Sequence, residues 1–271
     1  DMGTGCDTII AQFAADVLET TIDNISVYGV DTDISPYDSG SYASSTTYLT
    51  GMAAVKACEQ LREHIIALAA ARMNKDASAL TFDGENVIDE SDGSKMSLFD
   101  IATASMCNNE ISMEVTYSHS SPVSPPPFMA ACAEVEVDPE TGAIELLDYT
   151  ACVDCGTVVN TNLARVQTEG GLLQGIGMTL YEDIWYDERG KNLSNSFMQY
   201  KVPSRLDTDR IRVEFDSSYE PTGPFGAKSI GEIVINTPAP AIADAVYNAT
   251  GIWINELPIT PEKILKGMQV I

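Results

Sequence analysis

A single carboxylate in a loop of small residues is the part of the sequence best suited to chemistry. Glu232 ends the stretch Pro-Phe-Gly-Ala-Lys-Ser-Ile-Gly-Glu (224–232), and an apolar, proline-broken segment, 233–242, follows it. The glycines at 226 and 231 let the backbone bend and come close to a ligand. A carboxylate in so dry and tight a place is either buried and paired or kept for catalysis. Two interpretations therefore stand, a turn-forming glutamate and a general base.

The sequence has few other residues of the types that usually bind metals or act in catalysis. The chain has two histidines, His64 and His119, which leaves few members for a histidine metal site or a Ser-His-Asp triad. Cys152-Val-Asp-Cys155-Gly admits a zinc or redox interpretation, but zinc needs a second ligand pair and none stands at suitable spacing. We expect the six cysteines to be reduced thiols, because a domain this long needs no disulfides.

Composition excludes some classes of partner. The net charge of −25 over 271 residues disfavours nucleic acid and anionic membranes, which lysine and arginine would have to attract. No apolar run reaches the ~20 residues that span a bilayer, and no basic-then-apolar signal peptide opens the chain. We therefore predict a cytoplasmic protein with a sizeable core.

Two segments in the first half of the chain offer hydrogen-bond donors. Gly3-Thr4-Gly5 is a tight turn before a helix whose apolar stripe runs through Ile10, Phe13, Ala14, Val17 and Leu18. The free N–H groups of such a helix start suit an anion. Ser41 to Thr47 is rich in hydroxyls and precedes a long helix from about 48 to 73, so it either caps that helix or binds a ligand.

A third segment, 165–180, contains four glycines in a helical stretch around Gln174. Glycine at these positions indicates a very close approach of the helix backbone, either to a ligand or to a packed neighbour.

Elsewhere the pattern predicts strands at 25–30 and 211–215, a short helix at 98–106, a hairpin over 134–146 and a final helix capped by Thr260. The proline-rich stretch 120–127 can be neither helix nor central strand, so it separates lobe one, about 1–120, from lobe two, about 128–271.

From Gly3 to Leu265 the chain resembles the C-terminal half of the molybdenum-binding subunit of the xanthine dehydrogenase and aldehyde oxidoreductase family. The resemblance is carried by five segments in family order: GTG at 3–5, the Ala-Ser pair at 43–44, DCG at 154–156, EGG-x-x-QGIG at 169–177, and GPFGAKSIGE with the APAIADAV that follows. It implies an α+β fold, with two lobes of mixed sheet and packed helices like the second molybdopterin-binding domain.

The resemblance also implies roles for individual residues. Glu232 would be the general base, and the pterin cofactor would be contacted by Thr4, Gly5, Ala43, Ser44, Thr46, Gln174 and Gly231. The family usually has glutamine in the middle of the first turn, where this chain has the shorter Thr4. The protein would supply no metal ligand of its own. We further expect Glu232 to be poorly solvated, and Leu172, Leu173, Ile230 and Ile233 to form part of a partner surface.

The implied function is part of a molybdenum hydroxylase. Such an enzyme uses water to hydroxylate an electron-poor carbon of a purine, a related N-heterocycle or an aldehyde. The implied cofactor is molybdenum-molybdopterin, with the cytosine dinucleotide form left open, and [2Fe–2S] and FAD are expected on partner chains. The partners would be the N-terminal half of the subunit, an iron–sulfur subunit and an FAD subunit. The alternative is a non-catalytic cofactor-binding or assembly module, since the sequence lacks the glycine- and phenylalanine-rich loop expected in the other half.

Overall fold

Two separate hydrophobic cores divide the chain. The structure is a computed structural model that describes residues 2–29, 31–106, 111–204, 206–207 and 210–270. The first unit comprises Asp1–Pro125 and Glu220–Ser229, and the second comprises Pro126–Tyr219 and Ile230–Ile271. The chain therefore leaves the first unit within the proline-rich stretch, returns for ten residues and leaves again just before Glu232.

The first unit is built on helices α1 (Cys6–Val17) and α2 (Gly51–Met73), with α3 (Leu98–Met106) and a small sheet beside α2. The strands β1 (Leu80–Phe82), β2 (Asn86–Asp89) and β3 (Lys95–Ser97) pair in that order and are all antiparallel. Apolar side chains of α2, the sheet and α3 form one buried cluster: Ile65, Leu68, Ala69, Ala70, Leu80, Phe82, Val87 and Ile101.

Helix α1 packs closely against α2 because small residues meet large ones at the contact. Phe13 is 1% exposed, and a Cβ on Gly51 would lie 2.7 Å from its ring. Ala11 and Ala15 are buried as well, so the covered face is offset from the stripe that the sequence predicts.

The second unit is a three-stranded sheet covered by helices. The strands β4 (Phe128–Val137) and β5 (Ile144–Asp154) form the antiparallel hairpin, and β6 (Ile211–Asp216) joins β5 in parallel. Helices α4 (Thr161–Leu180) and α5 (Pro238–Thr250) pack on this layer, and α6 (Pro261–Gly267) ends the unit. Their buried side chains form the second core: Tyr149, Ala151, Leu172, Ile176, Val213, Ile242, Val246, Ile259 and Ile264.

Most of the predicted elements are confirmed. The helices at α1, α2, α3 and α4, the hairpin and β6 lie where the sequence places them, and the Thr260 side chain caps α6 by accepting the Lys263 N–H at 3.3 Å. The predicted α+β fold is also confirmed, although only the second sheet is mixed.

The strand predicted at 25–30 is wrong over its described part, because residues 25–29 pair with no other strand. An apolar run becomes a β-strand only where a neighbouring strand provides partners for its backbone hydrogen bonds. The sheet of the first unit and helix α5 were not predicted. In the part of the chain that the structure describes, no helix is both long and apolar enough to cross a bilayer.

Candidate cofactor site

Two glycines in the left-handed conformation form the turn before α1. Gly3 and Gly5 have φ of +101° and +82°, a conformation that other residues rarely adopt. Gly5 is the N-cap and provides no side-chain cap, while its carbonyl accepts the Ile9 N–H at 3.1 Å. Thr4 between them is exposed. The N-cap residue therefore covers none of the first N–H groups of α1 with a side chain, and Asp7 places a carboxylate in that first turn.

Ala43 and Ser44 adopt a strained conformation. Their φ angles are +50° and +53°, so two successive non-glycine residues lie in the left-handed region. Each costs roughly 1–2 kcal/mol there and persists only where the surroundings hold it, which is a property of binding segments.

A π-helical turn, Thr46–Thr50, follows and leads into α2. Thr46 is half-buried, and its hydroxyl donates to Ser41 Oγ at 2.5 Å. Neither Ser45 at the start of the turn nor Thr50 at the start of α2 caps with its side chain. The capping interpretation of the Ser41–Thr47 hydroxyls is therefore wrong for Ser45, whereas the ligand interpretation stays open.

Tyr48 fixes this segment to the loop at 220–229 within the first unit. Its N–H donates to Ser229 Oγ at 3.1 Å, and its hydroxyl donates to Thr222 Oγ1 at 2.7 Å. Tyr48 is 5% exposed, and Ser229 is 7% exposed. These bonds are the physical reason why 220–229 belongs to the first unit, whereas the sequence division put everything after about 128 in lobe two.

The glycine-rich face of α4 packs on the segment that follows Glu232. A Cβ on Gly171 would lie 2.1 Å from Val234 Cγ2, and one on Gly175 would lie 2.6 Å from Pro238 Cγ. Of the two interpretations of these glycines, close packing is therefore the right one for these positions. Gly170 differs, since a Cβ on it would meet nothing within 4 Å, and Gln174 on the same helix is exposed.

Glu232 begins a single 3-10 turn, Ile233–Ile235, and its carbonyl accepts the Ile235 N–H at 3.2 Å. Both Gly231 and Glu232 are exposed, so the prediction that Glu232 is poorly solvated is wrong for this chain. The apolar residues after it turn inward instead: Val234 is 1% exposed.

Gln167 is a residue near the site that sequence reasoning missed. Its side-chain amide donates to the Gly231 carbonyl at 3.2 Å. The available signal was its spacing: Gln167 lies seven residues before Gln174, so both lie on one side of α4.

The predicted site residues divide between the units. Thr4, Gly5, Ala43, Ser44 and Thr46 belong to the first unit, and Gln174, Gly231 and Glu232 belong to the second. Within the first unit, α1 packs against the π-helical turn that follows Ser44.

Two other expectations change with the structure. Leu172 is 0% exposed in the second core and cannot take part in a partner surface, while Leu173, Ile230 and Ile233 are half-buried. Among the described residues, no three His, Cys, Asp or Glu side chains are grouped as a metal site requires. The zinc interpretation of Cys152 and Cys155 therefore has no support.

Comparison with known proteins assigns the chain to a family. The family model described as "Molybdopterin cofactor-binding domain" matches residues 1–209. The probable hypoxanthine oxidase XdhD of Escherichia coli is 39% identical over 273 residues, covering 100% of this chain and 28% of that protein. The gamma subunit of the 6-hydroxypseudooxynicotine dehydrogenase complex of Paenarthrobacter nicotinovorans is 31% identical, covering 99% of this chain and 35% of that protein.

Solved structures of two enzymes share the fold of this chain. The Cu,Mo-CO dehydrogenase superposes with a TM-score of 0.88 at 25% identity, over 100% of this chain and 35% of that one. Quinoline 2-oxidoreductase from Pseudomonas putida 86 superposes with a TM-score of 0.86 at 27% identity, over 99% of this chain and 36% of that one. The chain thus spans about a third of the length of the proteins it matches.

Proposed function

Because the chain belongs to the molybdopterin cofactor-binding domain family and matches molybdenum-binding subunits of xanthine dehydrogenase type, we propose that it forms the cofactor-binding part of a molybdenum hydroxylase. The observation that carries the proposal is the left-handed pair Ala43–Ser44, which stands where the family resemblance puts a cofactor contact. The cytoplasmic location and the dinucleotide form of the cofactor are parts of the same proposal.

The donors in the first unit fit a phosphate-bearing pterin. Helix α1 begins after Thr4 and the N-cap Gly5, which makes no side-chain cap, and the π-helical turn that follows Ser44 packs against α1. Backbone N–H groups at a helix start and in left-handed segments bind anions. In the second unit, the exposed Gln174 would donate or accept at the pterin ring, since an amide can do both.

The chain's own part in the reaction would be proton transfer and positioning. Bound molybdopterin would supply the redox chemistry. Glu232 Oε would accept a proton as water-derived oxygen is transferred to the substrate, the ordinary work of a general base. The 3-10 turn that begins at Glu232 would hold the backbone from which this carboxylate extends.

The substrate class belongs to the proposal as well. The relative at 39% identity is named a probable hypoxanthine oxidase, so a purine is the first substrate to test. N-heterocycles follow, because relatives at 31% and 29% identity are named for pseudooxynicotine and nicotine oxidation. An aldehyde is third, from a relative at 32%.

Partners are expected because relatives are named as subunits of larger assemblies. We propose that the N-terminal half of the molybdenum subunit, an iron–sulfur subunit and an FAD subunit complete the enzyme. The second candidate function, a non-catalytic cofactor-binding or assembly module, is favoured by Thr4, which is shorter than the glutamine usual at this position in the family.

The test uses the conformation of Ala43. The protein purified with its natural partners is assayed for molybdenum and pterin, in wild type and in Ala43→Val and Ala43→Gly. Glycine tolerates the left-handed conformation and should retain the cofactor, whereas β-branched valine should lose most of it. Equal cofactor content in all three proteins, or none in wild type, would reject the proposal. Purine turnover by the loaded wild type separates the enzyme from the assembly module.

A further inference from the structure

We propose that Cys132 and Cys152 form a two-thiol site that binds one soft monovalent cation, such as Cu(I). The two side chains belong to neighbouring strands of the sheet in the second unit and lie on the face opposite helices α4 and α5. The site goes beyond the proposed function and does not depend on it. It also replaces the pair that the sequence suggested, Cys152 and Cys155, by a pair on two different strands.

The alternation of side chains along β5 separates Cys152 from Cys155. Successive side chains of a strand point to opposite faces of its sheet. Tyr149, Ala151 and Val153 are all 0% exposed, and the first two belong to the core under α4 and α5. Cys152 lies between buried residues but is exposed, so it points away from that core. Cys155 is buried, and the two cysteines therefore have different surroundings.

Cys132 of β4 lies on the same face as Cys152. It stands between two alanines that pack against the second core, and it is itself exposed. In the antiparallel register Cys132 is paired with Thr150, and Cys152 is paired with Ala130. The two cysteines are therefore diagonal neighbours on one face of the β4–β5 hairpin.

The spacing of this pair suits a bridging ion better than a disulfide. Diagonal neighbours in an antiparallel pair have Cα atoms about 7–8 Å apart, with Cβ atoms somewhat closer. A disulfide needs Cα atoms within about 7 Å of each other. Both thiols are free in the structure. Two sulfur–metal bonds of about 2.3 Å on opposite sides of one ion span roughly 4.6 Å, which two cysteine side chains that lean towards each other can match.

The number of ligands and the local charge select the ion. In the part of the chain that the structure describes, no group of three or more His, Cys, Asp or Glu side chains could hold a metal ion. Structural zinc needs four ligands, whereas thiolates favour soft ions such as Cu(I), for which two sulfur ligands suffice. Glu214 of β6 is exposed and lies beside Cys152 in the parallel register. Its negative charge favours a cation over an anion at this face.

A crosslinking experiment tests whether the two thiols are close. The reduced chain is treated with dibromobimane, which becomes fluorescent when a thiol has displaced each of its two bromides, each thiol proton leaving with a bromide. Peptide mass spectrometry should find the crosslink between Cys132 and Cys152 in wild type and in Cys155→Ala. A crosslink of Cys152 to Cys155 instead, or none between Cys132 and Cys152, would overturn the proposal.

A binding experiment uses Cu(I) alone. The reduced chain, kept free of oxygen, competes for Cu(I) with the coloured chelator bicinchoninate. Cys132→Ser and Cys152→Ser should each retain one Cu(I) ion fewer than wild type, because one sulfur cannot hold the ion against the chelator. The double variant should lose no more than either single variant, since both sulfurs act on one ion.

The control for the binding experiment is Cys6→Ser, a half-buried thiol of the first unit, which should retain as much Cu(I) as wild type. Thermal unfolding of every variant checks that the fold is intact, and serine at an exposed strand position should preserve it. Equal Cu(I) retention in wild type and in Cys132→Ser or Cys152→Ser would overturn the proposal. Losses that add in the double variant would do so as well, because they would show two independent thiols.

Discussion

The backbone N–H of Tyr48 donates a hydrogen bond of 3.1 Å to the hydroxyl of Ser229, a residue 181 positions further along the chain. Both residues are buried in the first unit. The bond joins the π-helical turn before α2, at a position four residues after Ser44, to the loop residue that lies three positions before Glu232. The predicted cofactor segment and the loop 220–229 that precedes Glu232 are therefore parts of the same folded unit.

Removing the Ser229 hydroxyl should destabilise the first unit. In Ser229→Ala the Tyr48 N–H loses its acceptor in a buried place, which costs about 1–3 kcal/mol. The loss should appear as a lower denaturant midpoint in an unfolding titration followed by tyrosine fluorescence. Ser124→Ala, an exposed serine of the same unit, should be neutral. Equal midpoints for both variants would show that the bond contributes nothing.

Removing the proposed base should abolish turnover and leave the cofactor in place. Glu232→Gln keeps the size of the side chain but cannot accept the proton, so kcat in the assembled enzyme should fall by at least ~10²-fold. Molybdenum content should equal that of wild type, because Glu232 is not expected to bind the metal. The control is Glu188→Gln, another exposed glutamate of the second unit. Near-normal turnover in Glu232→Gln would show that Glu232 is not the general base.

Truncating the predicted pterin contact should affect cofactor retention more than folding. Gln174 is exposed on α4, so Gln174→Ala should change stability by less than about 0.5 kcal/mol. Pterin content, measured after oxidation to its fluorescent form, should fall severalfold because one amide contact is lost. Thermal unfolding of the same samples checks that the fold is intact. Full pterin content in the variant would show that Gln174 does not contribute to pterin binding.

The Lys75 cluster should give the first unit an acid-sensitive stability. Lys75 pairs with Asp89 at 2.7 Å and with Asp92, and its hydrogen bonds hold the pKa of both carboxyls below their ordinary value of 3.8. A folded pKa below the unfolded one gives stability that is present above about pH 4 and lost as pH falls through the folded pKa. Wild type should therefore exceed Lys75→Met in stability at pH 7, and the difference should vanish in acid.

Denaturant unfolding of both proteins between pH 2 and pH 7 measures this difference. Lys95→Met, an exposed lysine of the same sheet, should follow wild type throughout. A gap between wild type and Lys75→Met that stays constant down to pH 2 would contradict the assignment.

The isolated chain should associate and should not turn over substrate. Large apolar side chains are exposed along 184–202 of the second unit: Ile184, Trp185, Tyr186, Leu193, Phe197, Met198 and Val202. Exposed apolar side chains favour association, so this stretch replaces Leu172 as the expected partner surface. Light scattering should show less self-association for Phe197→Ser with Met198→Ser than for wild type. Phe99→Ser, a similarly exposed phenylalanine of the first unit, is the control.

Hydroxylation assays complete that prediction. The chain alone, supplied with purines, N-heterocycles or aldehydes and an artificial acceptor, should give no product, because the partners proposed to complete the cofactor site and the electron path are missing. Sustained turnover by the chain alone, with pterin bound stoichiometrically, would show that no partner is needed.

The sequence by itself determined much of the local structure and the family resemblance. Apolar spacing predicted α1 and α2, alternation predicted the hairpin, and Thr260 before a proline predicted the capped α6, because each depends on residues close together in the chain. The segments around Glu232, Gln174 and the Ala43–Ser44 pair could be identified for the same reason, since each is a short run of unusual residue types.

Only the tertiary structure decided what those residues contact. It assigned Gly171 and Gly175 to packing against Val234 and Pro238, and it placed Glu232 on an exposed side of its turn. It also brought Gln167 to the Gly231 carbonyl, 64 residues away, and Ser229 to Tyr48, 181 residues away. Such contacts depend on how separate elements pack, and neither residue type nor spacing within one segment contains that information.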